Sequence, residues 1–235
     1  MAIKIGAISD LHGNWNYLNN LSGGDEIELL IIAGDLCSTD NIQEQKKELK
    51  YNLPLFLDQF TNVQDVIIVP GNHDYWLEQI YTDPFKIRME LGGKSIKILV
   101  DSRYEFTSWN GNGSIRIYGN PRCDLYYNFA FPRLSDGEDI KIIPPGIDIL
   151  VTHEAPRLYS HPCIRESQMM YYPDEPGNKM LYEKVKEIRP GVHIFGHIHY
   201  PSFYEESGIR FYNVSQILRT KPCPKLHIIS VESYI

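Results

Sequence analysis

Apolar residues fall along this chain mostly in short runs, not in long helical stripes. Residues 3–9, 29–33, 66–69, 147–151 and 192–195 are dominated by Ile, Leu, Val, Ala and Phe. Runs of that length, bounded by turn residues, read as strands buried on both faces. Between them the period lengthens. Residues 41–60 read as mainly helical with Pro54 as a kink or restart, and 75–91 as a helix or helix plus loop interrupted near Pro84. Residues 178–188 form a helix by pattern, ended by Pro190-Gly191. Asn14 is placed to cap a short helix through Leu21. The middle is richer in strands, at 96–100, 104–109 and 114–118, with Asn110-Gly111-Asn112-Gly113 as the hairpin between the last two. Strands at 209–214 and 226–232 close the chain. The opening β-α-β-α-β order predicts a layered α/β fold. The expected architecture is α/β with α+β character in four layers, a central β-sandwich flanked by helices, as one domain over residues 1–235.

Each of the five apolar runs ends on residues that packing does not call for. Ile8-Ser9 leads into Asp10-Leu11-His12, Ile32-Ala33 into Gly34-Asp35, and Val69 into Pro70-Gly71-Asn72-His73-Asp74. Val151 leads into Thr152-His153, and Phe195 into Gly196-His197-Ile198-His199. The loop leaving the C-terminal end of a strand is where ligands bind in α/β folds. One such loop means little. Five delivering Asp, Asn or His in succession point to a site.

Carboxylate, imidazole and amide oxygen together suit manganese, iron or zinc better than a thiolate-preferring metal. The donors Asp10, His12, Asp35, Asn72, His153, His197 and His199 are too many for one ion. Two divalent metal ions, with manganese, iron, zinc and nickel as candidates, form a clamp for phosphoryl displacement. Such a pair needs a bridging anion, and Asp35 is the choice because its two carboxylate oxygens can serve both ions. His197 and His199 stand two apart on an extended segment and point the same way, as do Asp10 and His12. His193 lies inside its strand, facing away from this loop. It is read, with His161 and His227, as a core or surface residue.

In their order and their span, these motifs resemble the calcineurin-like metallophosphoesterases. The resemblance rests on Asp10-Leu11-His12, Gly34-Asp35, Gly71-Asn72-His73-Asp74, Thr152-His153 and Gly196-His197-Ile198-His199. It implies that Asp10, His12 and His199 hold the first metal and Asn72, His153 and His197 the second, with Asp35 shared. It implies a metal-bridging hydroxide as nucleophile and His73 as the residue that assists the leaving group. Asp74 either orients His73 or caps the following helix. Protein serine/threonine phosphatases of this superfamily carry Gly-Asp-x-x-Asp-Arg-Gly. This chain has Gly34-Asp35-Leu36-Cys37-Ser38-Thr39-Asp40 instead, which speaks against that branch. Tyr118-Gly119-Asn120-Pro121, the aromatic stretch from Tyr126 to Phe131, and Thr152-His153-Glu154-Ala155-Pro156 resemble the small phosphodiesterase-type members.

Composition narrows the partners. The 235 residues are 43% hydrophobic and 23% charged, ordinary for a soluble globular chain. A net charge of −7 gives no basic footprint for long nucleic acid or for an anionic membrane. Cys37, Cys123, Cys163 and Cys223 are far apart without a C-x-x-C, which argues against a thiolate zinc site. With no signal-peptide layout, a cytoplasmic location is expected. Residues 120–133 and 155–177 are long loops rich in Arg, Tyr and Pro. Arg122, Tyr126 and Arg157 are their candidate substrate contacts. The acidic helix face at Glu44 and Glu48 reads as solvated surface.

The expected function is hydrolysis of a small phosphoester, a nucleotide among the candidates, with a phosphodiesterase favoured. The rivals are a phosphomonoesterase or nucleotide pyrophosphatase with the same site, and a non-catalytic scaffold of the same fold. The oligomeric state is not legible in the sequence.

Overall fold

The computed structural model describes residues 2–19, 21–83, 86, 91, 95–111, 113–124, 128–157, 177–218 and 221–233. In chain order the first strands and helices are β1 (Ala2–Ile8), β2 (Leu29–Ile32), α1 (Ile42–Leu57), β3 (Asp65–Ile68), α2 (Tyr75–Ile80), β4 (Ser95–Ile98), β5 (Ser102–Thr107) and β6 (Ser114–Asn120). There follow α3 (Glu138–Lys141), β7 (Ile149–Thr152), α4 (Lys179–Ile188), β8 (Val192–Phe195), β9 (Ser202–Glu206), β10 (Ile209–Asn213), β11 (Ile217–Leu218), β12 (Lys221–Pro222) and β13 (His227–Glu232).

Strand alternation builds the layers. On β2, Leu29 and Ile31 face the partner sheet while Leu30 and Ile32 face the helices, and all four are buried. The same split holds on β3, where Ile67 points between the sheets and Val66 and Ile68 point outward onto Leu49, Leu53 and Phe56 of α1. In the other sheet Ile149, Val151 and Ile194 fill the space between sheets. Leu150 and Phe195 pack on Leu181 and Val185 of α4. Both faces of the central strands are therefore apolar, which explains the unbroken runs in the sequence. The result is two mixed sheets with helices outside, in the orders β13-β1-β2-β3-β4 and β5-β6-β7-β8-β10-β9.

Several boundaries differ from the sequence reading. Asn14 does not cap a helix. Its amide donates back to the Leu11 carbonyl at 2.8 Å, and only a single 3-10 turn, Trp15–Leu18, follows. Helix α1 runs through Pro54 without restarting. Helix α2 ends at Ile80, just ahead of the interruption expected near Pro84. Strand β9 was not anticipated; its exposed positions include Phe203. Glu48 is not merely solvated. Its carboxylate accepts from Trp15 Nε1 at 2.8 Å and Ser38 Oγ at 2.8 Å, pinning α1 to the loops after β1 and β2. No helix among the described residues is long and apolar enough to cross a membrane.

The sheet order places the functional loops. β1, β2 and β3 run parallel, as do β6, β7 and β8. Within each sheet their C-terminal ends therefore lie along one edge. Backbone bonds join the two edges there, Ser9 N–H to the Val214 carbonyl at 3.0 Å and Gln216 N–H to Ser9 O at 2.8 Å, while Asp10 N–H to Gly34 O at 2.9 Å and Gly196 N–H to His153 O at 3.1 Å tie neighbouring loops within each sheet.

One carboxylate ties two of these loops. Asp74, with no exposed surface, accepts from the N–H groups of Gly71 at 2.8 Å, Asp35 at 2.9 Å and Leu36 at 2.9 Å. Neither role expected for it is seen: it makes no side-chain cap on α2, and its carboxylate bonds are to backbone N–H groups away from the His73 ring. The correction has a simple cause. Burial and the nearby Asp35 charge push this carboxyl up to about 7, and the three convergent N–H donors that the two loops supply oppose that shift. Asp74→Ala leaves those donors without an acceptor. At about 1–3 kcal/mol for each of the three, urea unfolding of the metal-free protein is expected to show a loss of about 3–9 kcal/mol. A loss near the ~1 kcal/mol of a deleted helix cap would show that the carboxylate is not the tie.

Candidate metal centre

Seven side chains converge at the joined edge, all from strand-end loops. The backbone there is unusual. Asp10 (φ 54°), His12 (φ 41°), Asp35 (φ 54°) and His197 (φ 66°) sit in the left-handed region, which L-residues rarely adopt. Asp and His are among the side chains that tolerate it best. The turns aim these residues into one space instead of letting the strands run on. Close loop approach does the rest. A Cβ on Gly71 would stand 2.6 Å from Asp35 N, and one on Gly196 2.5 Å from Asp10 Oδ2, so both positions require glycine.

The donors form two groups. In the first, His12 Nε2 and His199 Nε2 are 3.1 Å apart and His199 Nε2 is 3.5 Å from Asp10 Oδ1. In the second, Asn72 Oδ1 is 3.1 Å from both His153 Nε2 and His197 Nδ1. Asp35 stands between them. Its Oδ2 is 3.6 Å from His12 Nε2 and 3.2 Å from His153 Nε2. Oδ2 faces both groups, and Oδ1 accepts the His73 backbone N–H at 2.9 Å.

The donor set fits divalent cations. His153 Nδ1 lies 2.8 Å from the Ala33 carbonyl, so it carries a proton and donates. Its Nε2 lone pair then faces Asp35 Oδ2 and Asn72 Oδ1, both acceptors. Three converging acceptors call for a cation. Ligands about 2.1 Å from one ion stand roughly 3.0–3.4 Å apart, close to the separations within each group. The electrostatics agree. Asp10 and Asp35 are 0% and 2% exposed, and their ion-pair partners among the described residues are histidines.

Burial alone would raise both carboxyls. The His199 hydrogen bond and the charges of His153 and His199 outweigh it and bring Asp10 down to about 2. The His153 charge and hydrogen bond hold Asp35 well below the usual carboxylate range. Burial opposes charging of His153, but Asp35 and Asp10 overcome it and push the imidazole up to about 10. In the absence of metal, a proton on His153 takes the place of the cation. His197, with burial dominant, is pushed down to about 4 and remains a neutral donor.

His73 stands beside this set, not in it. Its ring is partly open, 5.5 Å from the His12 ring. Its Nδ1 pairs with Asp40 Oδ1 at 3.0 Å, so Asp40, not Asp74, orients it. Gln45 of α1 had been passed over entirely. It is fully buried, donates to the Thr39 and His73 carbonyls at 2.6 Å each and accepts the Trp76 N–H at 2.8 Å. A polar residue in line with Leu49 and Leu53 was the available signal. Ser9 supports Asp10, its hydroxyl donating to Oδ2 at 2.6 Å.

The expected rim is largely structural where it is described. Arg122, a candidate substrate contact, is held by the rim itself. Its guanidinium donates to Asp101 Oδ2 at 2.6 Å and to the Pro132 carbonyl at 3.0 Å. Arg133 donates to Asp124 at 2.7 Å, to Asp139 at 2.5 Å and to Glu154. Arg157 is half-buried, its backbone N–H donating to Asn178 O at 2.9 Å. Tyr126 and residues 158–176 lie outside the described residues. His193 is buried within β8 against Phe195 and Phe211, with Nε2 2.9 Å from Thr152 Oγ1. Phe129, not singled out from the sequence, lies with its ring centroid 5.0 Å from that of His73.

Comparison with known proteins follows this geometry. A profile of the calcineurin-like phosphoesterase family matches residues 3–201, which hold both donor groups. The chain is 27% identical over 200 residues to a probable rhamnogalacturonate lyase C of Emericella nidulans, covering 84% of this chain and 17% of that protein. It is 25% identical over 210 residues to metallophosphoesterase domain-containing protein 1 of Homo sapiens, covering 82% and 59%. The chain thus spans less than two thirds of either relative. Among solved structures, a phosphopantetheinyl hydrolase from Mycobacterium tuberculosis matches with a TM-score of 0.59 at 20% identity, covering 97% of this chain and 96% of that one. At that identity the likeness concerns the fold. On the family match over most of its length, this chain belongs to the calcineurin-like phosphoesterases.

Proposed function

We propose that this chain is a two-metal phosphoester hydrolase that prefers diesters. The observation that carries the reading is Asp35 Oδ2, set between His12 and His153 so that two histidine-bearing donor groups share one oxygen. Asp10, His12 and His199 would hold one ion, Asn72, His153 and His197 the other. Two bound divalent ions supply a Lewis-acidic clamp on the phosphoryl oxygens and an activated water. The chain's own residues do the rest. The carboxylates fix the spacing of the donor groups. Asp40 holds His73 by Nδ1, which leaves Nε2 to hydrogen-bond or protonate the departing oxygen. Phe129 offers that leaving group an apolar face.

Charge supports a diester. A phosphomonoester carries about −1.5 to −2 at neutral pH, a diester one charge. Arg122 and Arg133 are engaged by Asp101 and by Asp124, Asp139 and Glu154. They do not offer the paired guanidinium that favours a dianion.

The direct test strips the protein of metal and reloads it with Mn²⁺, Zn²⁺, Fe²⁺ or Ni²⁺. Hydrolysis of bis(p-nitrophenyl) phosphate is then compared with that of p-nitrophenyl phosphate. Diester turnover well above monoester turnover is expected, and the reverse ratio would move the assignment to a phosphomonoesterase. His73→Asn should lower kcat by about 10²–10⁴ with both equivalents of metal retained by elemental analysis. Unchanged turnover there would remove the leaving-group role. Asp40→Asn should cost much less, about two- to five-fold, because an exposed ion pair contributes at most ~1 kcal/mol. A loss as large as that of His73→Asn would mean that Asp40 itself enters the chemistry.

A further inference from the structure

Cys123 lies in the loop after β6, outside every motif read from the sequence. In space it joins the second donor group. Its Sγ lies within 4.8 Å of ring nitrogens of both His153 and His197. The thiol is 3% exposed and shut off from bulk water. Among the described residues its hydrogen bond is a weak donation to the Pro121 carbonyl at 3.8 Å. The backbone that carries it is fixed. Cys123 N–H donates to Phe131 O at 3.3 Å, and its carbonyl accepts from Arg133 N–H at 2.8 Å. The next residue, Asp124, donates its N–H to Glu154 at 3.2 Å, which fastens the loop to the segment holding His153.

We propose that Cys123 is a sulfur donor to the second ion, beside Asn72, His153 and His197, and that it turns this half of the centre toward thiophilic divalent cations such as zinc or ferrous iron. The inference rests on the two-metal reading above. With metal–sulfur and metal–nitrogen bonds of about 2.3 and 2.1 Å, ligand atoms in one shell stand roughly 3.1–3.6 Å apart. Rotation about the Cys123 Cα–Cβ bond has to close a gap of at most about 1.2–1.7 Å. When sulfur coordinates, the S–H bond is replaced by the metal–sulfur bond and the proton passes to solvent. The first site, with Asp10, His12, His199 and the shared Asp35 oxygen, is built of nitrogen and oxygen only and stays permissive for harder ions.

The test is X-ray absorption on the full chain loaded with two equivalents of zinc, together with the optical spectrum of the cobalt(II) form. A sulfur scatterer at about 2.3 Å and a sulfur-to-cobalt charge-transfer band are expected. Both should vanish in Cys123→Ser. Both should persist in Cys37→Ser, a buried thiol that belongs to none of the donor groups. Competition against a chelator should show one of the two zinc equivalents weakened about 10- to 100-fold in Cys123→Ser, with manganese affinity nearly unchanged. Two bound zinc ions with no sulfur signature in the unaltered protein would overturn the Cys123 assignment and leave the two-metal centre standing. Failure to hold two ions would overturn both. The unaltered protein decides the matter even if the serine variant folds poorly.

Discussion

Two carboxylates, Asp10 and Asp35, are buried side by side at the edge of the sandwich with histidines as their ion-pair partners. Placing two anions in so dry a space is unfavourable unless positive charge is supplied. The surroundings answer that need with neutral donors: an amide oxygen and four imidazoles that can all turn lone pairs inward. Such a set is stable in two conditions, with a proton lodged on His153 or with metal cations among the donors. The fold around it supplies the rigidity that keeps the anions from moving apart.

That rigidity comes from the sheets. Strands apolar on both faces hold their ends in register, so loops from β1, β2, β3, β7 and β8 arrive at one edge with little freedom. The loops then make left-handed turns at Asp10, His12, Asp35 and His197, each worth on the order of 1–3 kcal/mol of strain. Asp74, Gln45 and Glu48 work against this strain. Each takes up backbone N–H or carbonyl groups that the irregular loops leave without partners. Polar side chains that look idle in a catalytic account thus set the ligand geometry.

How far the sequence could be read follows from this division of labour. The strands were legible because burial on both faces writes an unbroken apolar run, and the seven donors because each follows such a run directly. The supports were not. Asp74 sits next to His73 in sequence but faces the opposite way, toward Asp35 and Leu36 N–H. Asp40 meets His73 across 33 residues, a pairing no local pattern encodes. Arg122 and Arg133 looked like phosphate contacts by type and loop position, and the carboxylates that engage them are dispersed from Asp101 to Glu154. Cys123 was set aside because metal-binding cysteines usually come in close pairs. The histidines near it in space lie 30 and 74 positions on, brought in by the strand order.

The two halves of the centre are chemically unequal, and the asymmetry has structural roots. The His12–His199 group lies on the open side, with His12 and His199 side chains 22% and 34% exposed. His153 is fully enclosed, and the loop carrying Cys123 closes over the same side. An exposed group exchanges ions with solvent readily, while an enclosed one with soft donors releases its ion slowly. Asp35 Oδ2 faces both groups, so under the two-metal reading charge drawn toward one ion through that oxygen would be withdrawn from the other. The identity of an enclosed ion would then tune the acidity of whatever the open one binds. A single carboxylate oxygen, with its partner oxygen held by the His73 N–H, stands where it would link metal choice on one side to chemistry on the other.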